Sequence, residues 1–286
     1  MRTTHAPLTV TPYQRRYLRQ VHDLLFNSQS VHTHLDWHET DQWLDTQQVP
    51  MRLAWQNGRL TGLLAMSNPL NGTCWIRLAA VQDYVNQEAV LRALWGDIVI
   101  DLRSQGVHLV ALLAVRDWIT DQVPDLGFHY VEDIITLARA GMQIPDPRPH
   151  QLTLRAAEPY DLETMARVDQ AAFIPPWQLA PDELRQAYRI SSSCTVALHE
   201  GKLVGYQLST LYFDGAHLAR LAVLPHMQGN GIGGVLLGDV LARFFRRGVY
   251  SMTLNTQTSN VQSQRLYRRF GFRPNGYDLP YWSTTI

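Results

Sequence analysis

The sequence predicts an α/β fold with a mixed sheet, built twice in tandem. A shift of 143 residues places Gly58–Gly62 on Gly201–Gly205 without a gap, and a shift of 142 places Gly96-Asp97 on Gly238-Asp239. Self-similarity at a long fixed period indicates an internal repeat. In each copy, apolar runs typical of strands pair locally across turns and also alternate with helical patterns. Strands arranged in this way imply a mixed α/β sheet covered by helices.

The second copy shows the order of elements most clearly. We expect helices at residues 161–173, 181–190, 231–247 and 260–270, and strands at 152–155, 195–199, 203–212, 216–224 and 251–255, with terminal strands after them. Between the copies, Met142–Gln151 contains three prolines, which neither continue a helix nor donate to a sheet, so it predicts a stiff linker. The expected domains are residues 1–141 and 152–286, joined by the linker 142–151.

Composition and charge exclude several classes of protein. The 286 residues are 45% apolar and 17% charged, which is ordinary for a globular chain and unlike a disordered one. Twenty-five basic residues balance 25 acidic ones, so no net field favours nucleic acid or an anionic membrane as a partner. Cys74 and Cys194 are too few for a disulfide framework or a zinc site. The apolar run Leu109–Val115 is far shorter than a membrane span, and we expect a cytoplasmic protein.

One glycine-rich turn carries the candidate chemistry. The strand expected to end at Leu224 is followed by Pro225–Gly234, in which four of the last six residues are glycine, and then by the apolar helical run Val235–Leu237. Glycines let backbone N–H groups approach a ligand, and the first turn of a helix offers unpaired donors and a positive dipole end. The turn therefore predicts a site for a phosphate or pyrophosphate. A tight packing turn is the alternative.

Two common phosphate motifs fit this turn poorly. A P-loop needs a lysine after its last glycine, and none follows Gly234. The dinucleotide fingerprint G-x-G-x-x-G is met by Gly229, Gly231 and Gly234, but it needs an acidic residue about 20 positions further on. The sequence has no acidic residue between Asp239 and Asp278.

A third pattern, Q-x-x-G-x-G, is met by Gln228, Gly231 and Gly233. With this motif the sequence resembles the GNAT acetyltransferase superfamily, in which the loop holds the pyrophosphate of coenzyme A. A second region, Asn260-x-x-Ser263-x-x-Leu266-Tyr267-x-x-Phe270-Gly271-Phe272, is similar to another part of the same family. The resemblance covers residues 152–286. It implies acetyl-CoA as the cofactor and two tandem GNAT-like acyl-CoA N-acyltransferase domains.

The resemblance also implies roles for particular residues. Tyr267 is the expected general acid beside the thioester sulfur; a tyrosine packed in the core is the alternative. The main chain of the strand before the loop is expected to contact the pantetheine arm and to polarise the thioester carbonyl. The expected cofactor-binding residues are Leu221, Ala222, Val223, Gln228, Gly229, Asn230, Gly231, Ile232, Gly233, Gly234, Asn260 and Tyr267.

The sequence leaves the general base open. Ribosomal-protein alanine acetyltransferases of this superfamily carry Glu on the strand after the cofactor helix, and the matching position here is Asn255, which cannot accept the proton. Some histone-type members carry Glu eleven positions before the motif Gln, and that position here is His217. Because imidazole titrates near neutrality, His217 is a candidate base. The alternative is a strand-end histidine without a catalytic role.

The first copy keeps the scaffold and loses the site. Opposite the loop glycines it carries Glu88, Val90 and Leu91, and opposite Tyr267 it carries Val123. Side chains and a carboxylate would stand where the pyrophosphate should lie. We therefore expect residues 1–141 to form a degenerate GNAT-like domain that shapes the acceptor site.

Two other stretches suggest ligands. Ala172–Trp177 is similar to a stretch of N-terminal acetyltransferases and favours a peptide α-amine as acceptor, although a hydrophobic loop between helices is the alternative. His34 and His38 are four residues apart and would share a helix face, as metal ligands do. No carboxylate spacing completes a site there, so we expect no metal.

The expected function is transfer of an acetyl group from acetyl-CoA to a primary amine of a small molecule or a peptide N-terminus, by direct attack on the thioester. The alternative is a non-catalytic acyl-CoA-binding or partner-binding protein, since the first copy is degenerate and the second lacks the usual carboxylate. An intact loop together with Tyr267 favours the enzyme. Because two fused copies can mimic a dimer, we expect a monomer.

Overall fold

The computed structural model describes residues 7–46, 49–115, 117–146 and 151–286. The chain divides into two compact units. The N-terminal unit runs to Glu132 and also includes Leu279–Ile286, and the C-terminal unit is Asp133–Asp278. This division differs from the boundary expected at 142–151, part of which lies outside the described residues. The physical reason is strand pairing, because Ile134–Ala140 pairs with Ser251–Gln257 of the C-terminal unit and Tyr281–Thr285 pairs with Leu109–Leu113 of the N-terminal unit.

The N-terminal unit is built around an antiparallel sheet with one parallel pair. Its strands are β1 (Thr9–Pro12), β2 (Ser30–Thr33), β3 (Met51–Gln56), β4 (Arg59–Met66), β5 (Thr73–Val81) and β6 (Leu109–Leu113), and its helices are α1 (Leu18–Asn27), α2 (Thr40–Thr46), α3 (Gln87–Ser104) and α4 (Asp117–Thr120). The strand order is β1-β3-β4-β5-β6, and Tyr281–Thr285 pairs with β6. Strand β2 is not part of this order and pairs antiparallel with β5.

Periodicity explains the core of the N-terminal unit. Every residue of β5 is buried, as expected for a central strand covered on both faces. Helix α3 buries Val90, Leu94, Ile98 and Leu102, which recur every four residues and so share one face. These side chains join the cluster on one side of β4 and β5. A second cluster, which includes residues of α1, lies on the other side.

The C-terminal unit has the mixed sheet that the sequence predicted. Its elements are β7 (His129–Ala140, of which the first four residues belong to the other unit), β8 (Thr153–Ala156), α5 (Leu162–Ala172), α6 (Pro181–Ile190), β9 (Ser193–His199), β10 (Lys202–Tyr212), β11 (Gly215–Val223), α7 (Ile232–Arg246), β12 (Ser251–Gln257), α8 (Val261–Arg269) and the start of β13 (Arg273–Thr285). The order is β7-β12-β11-β10-β9-β8, with β11 and β12 parallel and the other pairs antiparallel.

The helices and strands expected between residues 152 and 270 are confirmed, and each end lies within two residues of its expected position. Helix α7 packs Leu237, Leu241 and Phe244 into a core with Phe270 and Phe272 from beyond α8. Among the described helices, none combines the length and apolar character that a bilayer span requires.

Candidate active site

The parallel strands β11 and β12 separate after a short paired stretch. They pair only over Ala216–Leu218 and Met252–Leu254. Beyond this point β11 continues to pair with β10 as far as Val223, but within the described residues no strand pairs with its other edge. Backbone N–H and C=O groups on that edge are therefore open to water or to a ligand. Consecutive residues of a paired strand turn their backbone groups to opposite edges. Because Leu224 donates to the Val204 carbonyl of β10, the backbone groups of Leu221 and Val223 face the open edge, and those of Ala222 face β10.

A β-bulge decides which side chains of β11 lie near this edge. The register of β10 against β11 shifts between Leu208 and Ser209, so Ala219 has no residue opposite it. His217 and Arg220 are three residues apart, and strict alternation would put them on opposite faces of the sheet. The bulge brings them onto one face, the face on which α5 packs.

The glycine turn leaves the start of α7 without a cap. Gly231 is the N-cap residue, and no side chain accepts a hydrogen bond from the helix there. Gly229 and Gly231 have φ values of 78° and 85°, a left-handed backbone that favours glycine. Val235 is the first residue to donate within the helix, to the Gly231 carbonyl, and the first turn contains no acidic residue. Unpaired N–H groups and the positive end of the helix dipole fit a pyrophosphate.

Packing explains the other glycines of the turn. A Cβ atom on Gly233 would lie 3.2 Å from a Leu266 side-chain carbon, and one on Gly234 would lie 3.6 Å from the Phe270 ring. The distance at Gly233 is shorter than an ordinary contact, so this glycine lets α7 approach α8 closely, whereas a Cβ on Gly234 would make an ordinary contact. The packing interpretation considered for the whole turn holds for Gly233, where the contact is tight.

The remaining residues of the turn stabilise its shape. Gln228 donates from Nε2 to the Val223 carbonyl at 3.0 Å, and Asn230 donates from Nδ2 to the Met227 carbonyl at 3.2 Å. Ile232 is buried in a small core cluster, so only its main chain is available to a ligand. The expected cofactor residues of the turn therefore act through the backbone and through turn geometry.

Helix α8 holds Tyr267 beside the separated strands. Asn260 caps the helix, because its Oδ1 accepts from the Ser263 amide at 3.1 Å. Tyr267 is 7% exposed, and burial raises its pKa to about 12 in spite of a hydrogen bond with Ser263 and the charge of Arg220, which both lower it. A phenol with this pKa is protonated at neutral pH and can donate a proton. Tyr267 also packs in the core, with its ring centroid 6.0 Å from that of Phe272.

The two other expected catalytic positions lie on neighbouring strands. His217 is half-buried in the paired part of β11, and its Nδ1 lies 2.8 Å from Oγ1 of Thr253 on β12. Asn255 is exposed and directly follows Leu254, the last residue of β12 that pairs with β11, so it lies where the gap opens. The structure thus places His217, Asn255 and Tyr267 on the three elements that border the gap.

A buried ion pair that the sequence does not indicate lies on the same face of the sheet as His217. Asp169 of α5 is fully buried, and Arg220 donates to both of its carboxylate oxygens. The pairing joins residues 51 positions apart, so no local motif indicates it. The one available signal was an acidic residue on the inner face of an amphipathic helix.

In the N-terminal unit the matching gap is filled by the chain itself. Strands β5 and β6 pair only over Thr73–Trp75 and Leu109–Ala111, and β2 then pairs with Leu78–Val81 on the same edge of β5. Helix α3 is capped as well, because Asn86 Oδ1 accepts from the Ala89 amide at 3.0 Å. The backbone groups that would hold an acyl-CoA are therefore already paired in this unit.

Sheet register also corrects one part of the repeat alignment. In β5 the bulged residue is Arg77, because Ala65 pairs with Leu78 and Met66 pairs with Ile76. In β11 the bulged residue is Ala219. Arg77 therefore corresponds to Ala219 and not to Arg220 as the shift of 143 suggested. Counted from the residue pair beside each bulge, the hairpin connection before β11 is therefore one residue shorter than the connection before β5. A change of length in a turn leaves the pairing of the flanking strands intact.

The histidine stretch does not form the helix face that a metal site would need. Residues 34–39 lie between β2 and α2 and are not helical. His34 Nε2 instead lies 3.1 Å from Oδ1 of Asp36. The other carboxylate oxygen, Oδ2, accepts from Arg77 at 3.1 Å. Across the described residues, no three His, Cys, Asp or Glu side chains are grouped to hold a metal ion.

Comparison with known proteins agrees with this geometry. Residues 162–272 match the family model described as Acetyltransferase (GNAT) family. This part of the chain is a GNAT acetyltransferase domain. The match runs from the first residue of α5 to Phe272, the residue before β13, and so includes the glycine turn, the open edge of β11 and Tyr267.

Several relatives are named as N-acetyltransferases. The [ribosomal protein bS18]-alanine N-acetyltransferase of Haemophilus influenzae is 28% identical over 128 residues, which cover 43% of this chain and 86% of that protein. The enzyme of the same name from Escherichia coli K12 is 27% identical over 133 residues, covering 46% of this chain and 88% of that protein. These relatives and the family match identify an N-acetyltransferase enzyme.

Solved structures show the fold over the whole length of the chain. A tandem GNAT protein from the clavulanic acid biosynthesis pathway matches with a TM-score of 0.64 at 15% identity, covering 98% of both chains. A GCN5-related N-acetyltransferase from Sphaerobacter thermophilus matches with a TM-score of 0.61 at 18% identity, covering 98% of this chain and 96% of that one. Two GNAT-like copies therefore account for the duplicated sequence pattern.

A glutamate in the glycine turn should prevent cofactor binding. Gly231→Glu places a carboxylate and a side chain at the uncapped start of α7. We expect acetyl-CoA to raise the thermal stability of the unsubstituted protein and to leave that of this variant unchanged. Gly248→Glu is the matched control, because Gly248 also has a left-handed φ of 78° but follows the opposite end of α7. Both variants carry backbone strain of order 1 kcal/mol or more. Equal stabilisation of the two variants by acetyl-CoA would contradict the assignment of the turn.

Proposed function

We propose that the C-terminal unit transfers an acetyl group from acetyl-CoA to a primary amine by direct attack of the amine on the thioester. The observation that carries this proposal is the unpaired edge of β11, which leads directly into an uncapped helix start. One ligand with an amide-bearing arm and a pyrophosphate matches both features. Tyr267, on the helix beside the gap, supplies a proton donor at the reacting end of that ligand.

Each residue has one task in this proposal. The backbone N–H of Leu221 or Val223, on the open edge, binds the thioester carbonyl oxygen and stabilises the charge that develops on it. Tyr267 donates its phenolic proton to the departing thiolate as the C–S bond breaks and the C–N bond forms. His217 accepts the proton that the attacking amine loses. Asn255 cannot accept that proton, but its amide is placed to hydrogen bond at the gap.

The hydrogen bond of His217 sets how it can act as a base. If Nδ1 carries the proton and donates to Thr253 Oγ1, Nε2 holds the lone pair that accepts the amine proton. The reverse tautomer would make Nε2 a donor. The proposal assigns the first tautomer to the active form.

A site without a carboxylate base favours an acceptor amine of low pKa. Removing the proton from a lysine-like amine of pKa about 10.4 at pH 7 costs about 4.6 kcal/mol, against about 1 kcal/mol for a peptide α-amine of pKa near 7.8. The relatives from Haemophilus influenzae and Escherichia coli are named for an alanine of a ribosomal protein. We therefore infer that the acceptor is the α-amine of a peptide or protein.

Free-thiol release distinguishes the two amine classes. We expect acetyl-CoA to release thiol with a short alanine-initiated peptide, and to release at least tenfold less with the same peptide N-acetylated and carrying an internal lysine. Preference for the lysine peptide would overturn the choice of acceptor. Binding of acetyl-CoA without thiol release from any amine would support a non-catalytic binding protein instead.

Removal of the Tyr267 hydroxyl should slow the reaction without weakening cofactor binding. Loss of a general acid lowers rates by about 100-fold or more, so we expect a fall of this size in kcat for Tyr267→Phe and a Kd for acetyl-CoA within twofold of the unsubstituted protein. Tyr281→Phe is the control, since Tyr281 is a buried tyrosine of the N-terminal unit. An unchanged kcat in Tyr267→Phe would remove Tyr267 as the acid.

A further inference from the structure

The buried pair of Asp169 and Arg220 is more elaborate than an ordinary ion pair. Arg220 donates from Nε to Asp169 Oδ2 at 2.7 Å and from Nη2 to Oδ1 at 2.8 Å, a bidentate arrangement. Tyr206 of β10 donates to the same Oδ2 at 2.6 Å. Asp169 and Tyr206 are fully buried, and the Arg220 side chain is 13% exposed. Three elements of the C-terminal unit thus meet at one carboxylate.

The same pair fixes the connection between α5 and α6. We call residues Phe173–Ala180 the α5–α6 segment. Leu179 donates from its amide to Asp169 Oδ1 at 2.9 Å. Arg220 Nη2 donates to the Trp177 carbonyl at 2.6 Å, and the guanidinium carbon lies 3.5 Å from the centre of the Phe173 ring. The segment is therefore held at three points along its length by one arginine and one carboxylate.

Arg220 also belongs to the strand that borders the gap. It directly precedes Leu221–Val223, whose backbone is assigned to the thioester in the proposed function. The bulge puts its side chain on the same face as His217, the candidate base. An amine that gives its proton to His217 approaches from this face, which the α5–α6 segment helps to cover. Arg220 therefore connects the α5–α6 segment, on the face from which the amine approaches, to the strand that is proposed to bind the acyl group.

A contribution to folding stability does not by itself explain the hydrogen bonds between Arg220, Asp169 and the α5–α6 segment. A buried ion pair often contributes no more to stability than well-packed apolar residues of similar volume, since desolvation offsets the attraction. Its directional hydrogen bonds, by contrast, fix positions that apolar packing would leave adjustable. Lysine could keep the charge at this position but could not make the two parallel bonds and the ring contact together.

We propose that Arg220 is a positioning residue of the transfer reaction, which holds the α5–α6 segment against β11 so that the acceptor amine is presented to the acyl group. This inference rests on the proposed function. It goes beyond it in making acceptor binding depend on a guanidinium that neither contacts the acceptor nor transfers a proton. Cofactor binding depends on the glycine turn and is expected to be independent of Arg220.

The test uses Arg220→Lys, with Arg155→Lys as its matched control. Arg155 also binds an aspartate with two hydrogen bonds, of 2.6 and 2.8 Å to Asp161, but at β8, the strand at the far edge of this sheet. With acetyl-CoA and the alanine-initiated peptide, we expect Arg220→Lys to raise the KM for the peptide at least tenfold. We expect the Kd for acetyl-CoA to stay within twofold, and both constants to stay within twofold in Arg155→Lys.

Amide hydrogen exchange supplies a second measurement that needs no turnover. We expect the amide of Leu179 to exchange at least tenfold faster in Arg220→Lys than in Arg155→Lys, because its acceptor Asp169 loses both hydrogen bonds from Arg220 and keeps only the one from Tyr206. An unchanged peptide KM would overturn the positioning role, as would equal losses in peptide and acetyl-CoA affinity or unchanged exchange at Leu179. Failure of the unsubstituted protein to release thiol with any amine would overturn the proposed function instead, and the exchange at Leu179 would still decide whether Arg220 holds the segment.

Discussion

The site depends on one departure from regular sheet structure, the separation of β11 from β12 after Leu218. A sheet that stayed paired would satisfy its own backbone groups and offer nothing to a ligand. The bulge at Ala219 coincides with the separation and resets the alternation of side chains, which puts His217 and Arg220 on one face. The strand then ends in the glycine turn, so the open edge and the uncapped helix start are consecutive in the chain.

The N-terminal unit shows the effect of closing the same gap. A backbone group left buried without a partner costs about 1 to 3 kcal/mol, so a separated strand needs water, a ligand or another strand beside it. In the N-terminal unit β2 occupies that place, and Asn86 caps the helix that comes after β5. Both changes stabilise the unit without a ligand. The same fold therefore pairs its own backbone groups in one unit and leaves the corresponding groups open to a ligand in the other.

Much of this organisation was predictable from the sequence. Helices and strands of the C-terminal unit follow from periodicity and turn residues, which act over a few positions, and the glycine turn follows from backbone requirements that Gly229 and Gly231 meet. The pair of Asp169 and Arg220 was not predictable, because its partners come together only in the folded sheet. The filling of the first gap by β2 was missed for the same reason, since nothing local distinguishes that strand from any other.

Amide hydrogen exchange with and without acetyl-CoA tests the central claim most directly, because it reports on the two gaps within one protein. We expect acetyl-CoA to protect the amides of Leu221 and Val223, which face the open edge of β11, and those in the first turn of α7, and to leave those at residues 78–81 of β5 unchanged. Protection at residues 78–81, or none along β11, would contradict the assignment of the open edge as the acyl-binding site.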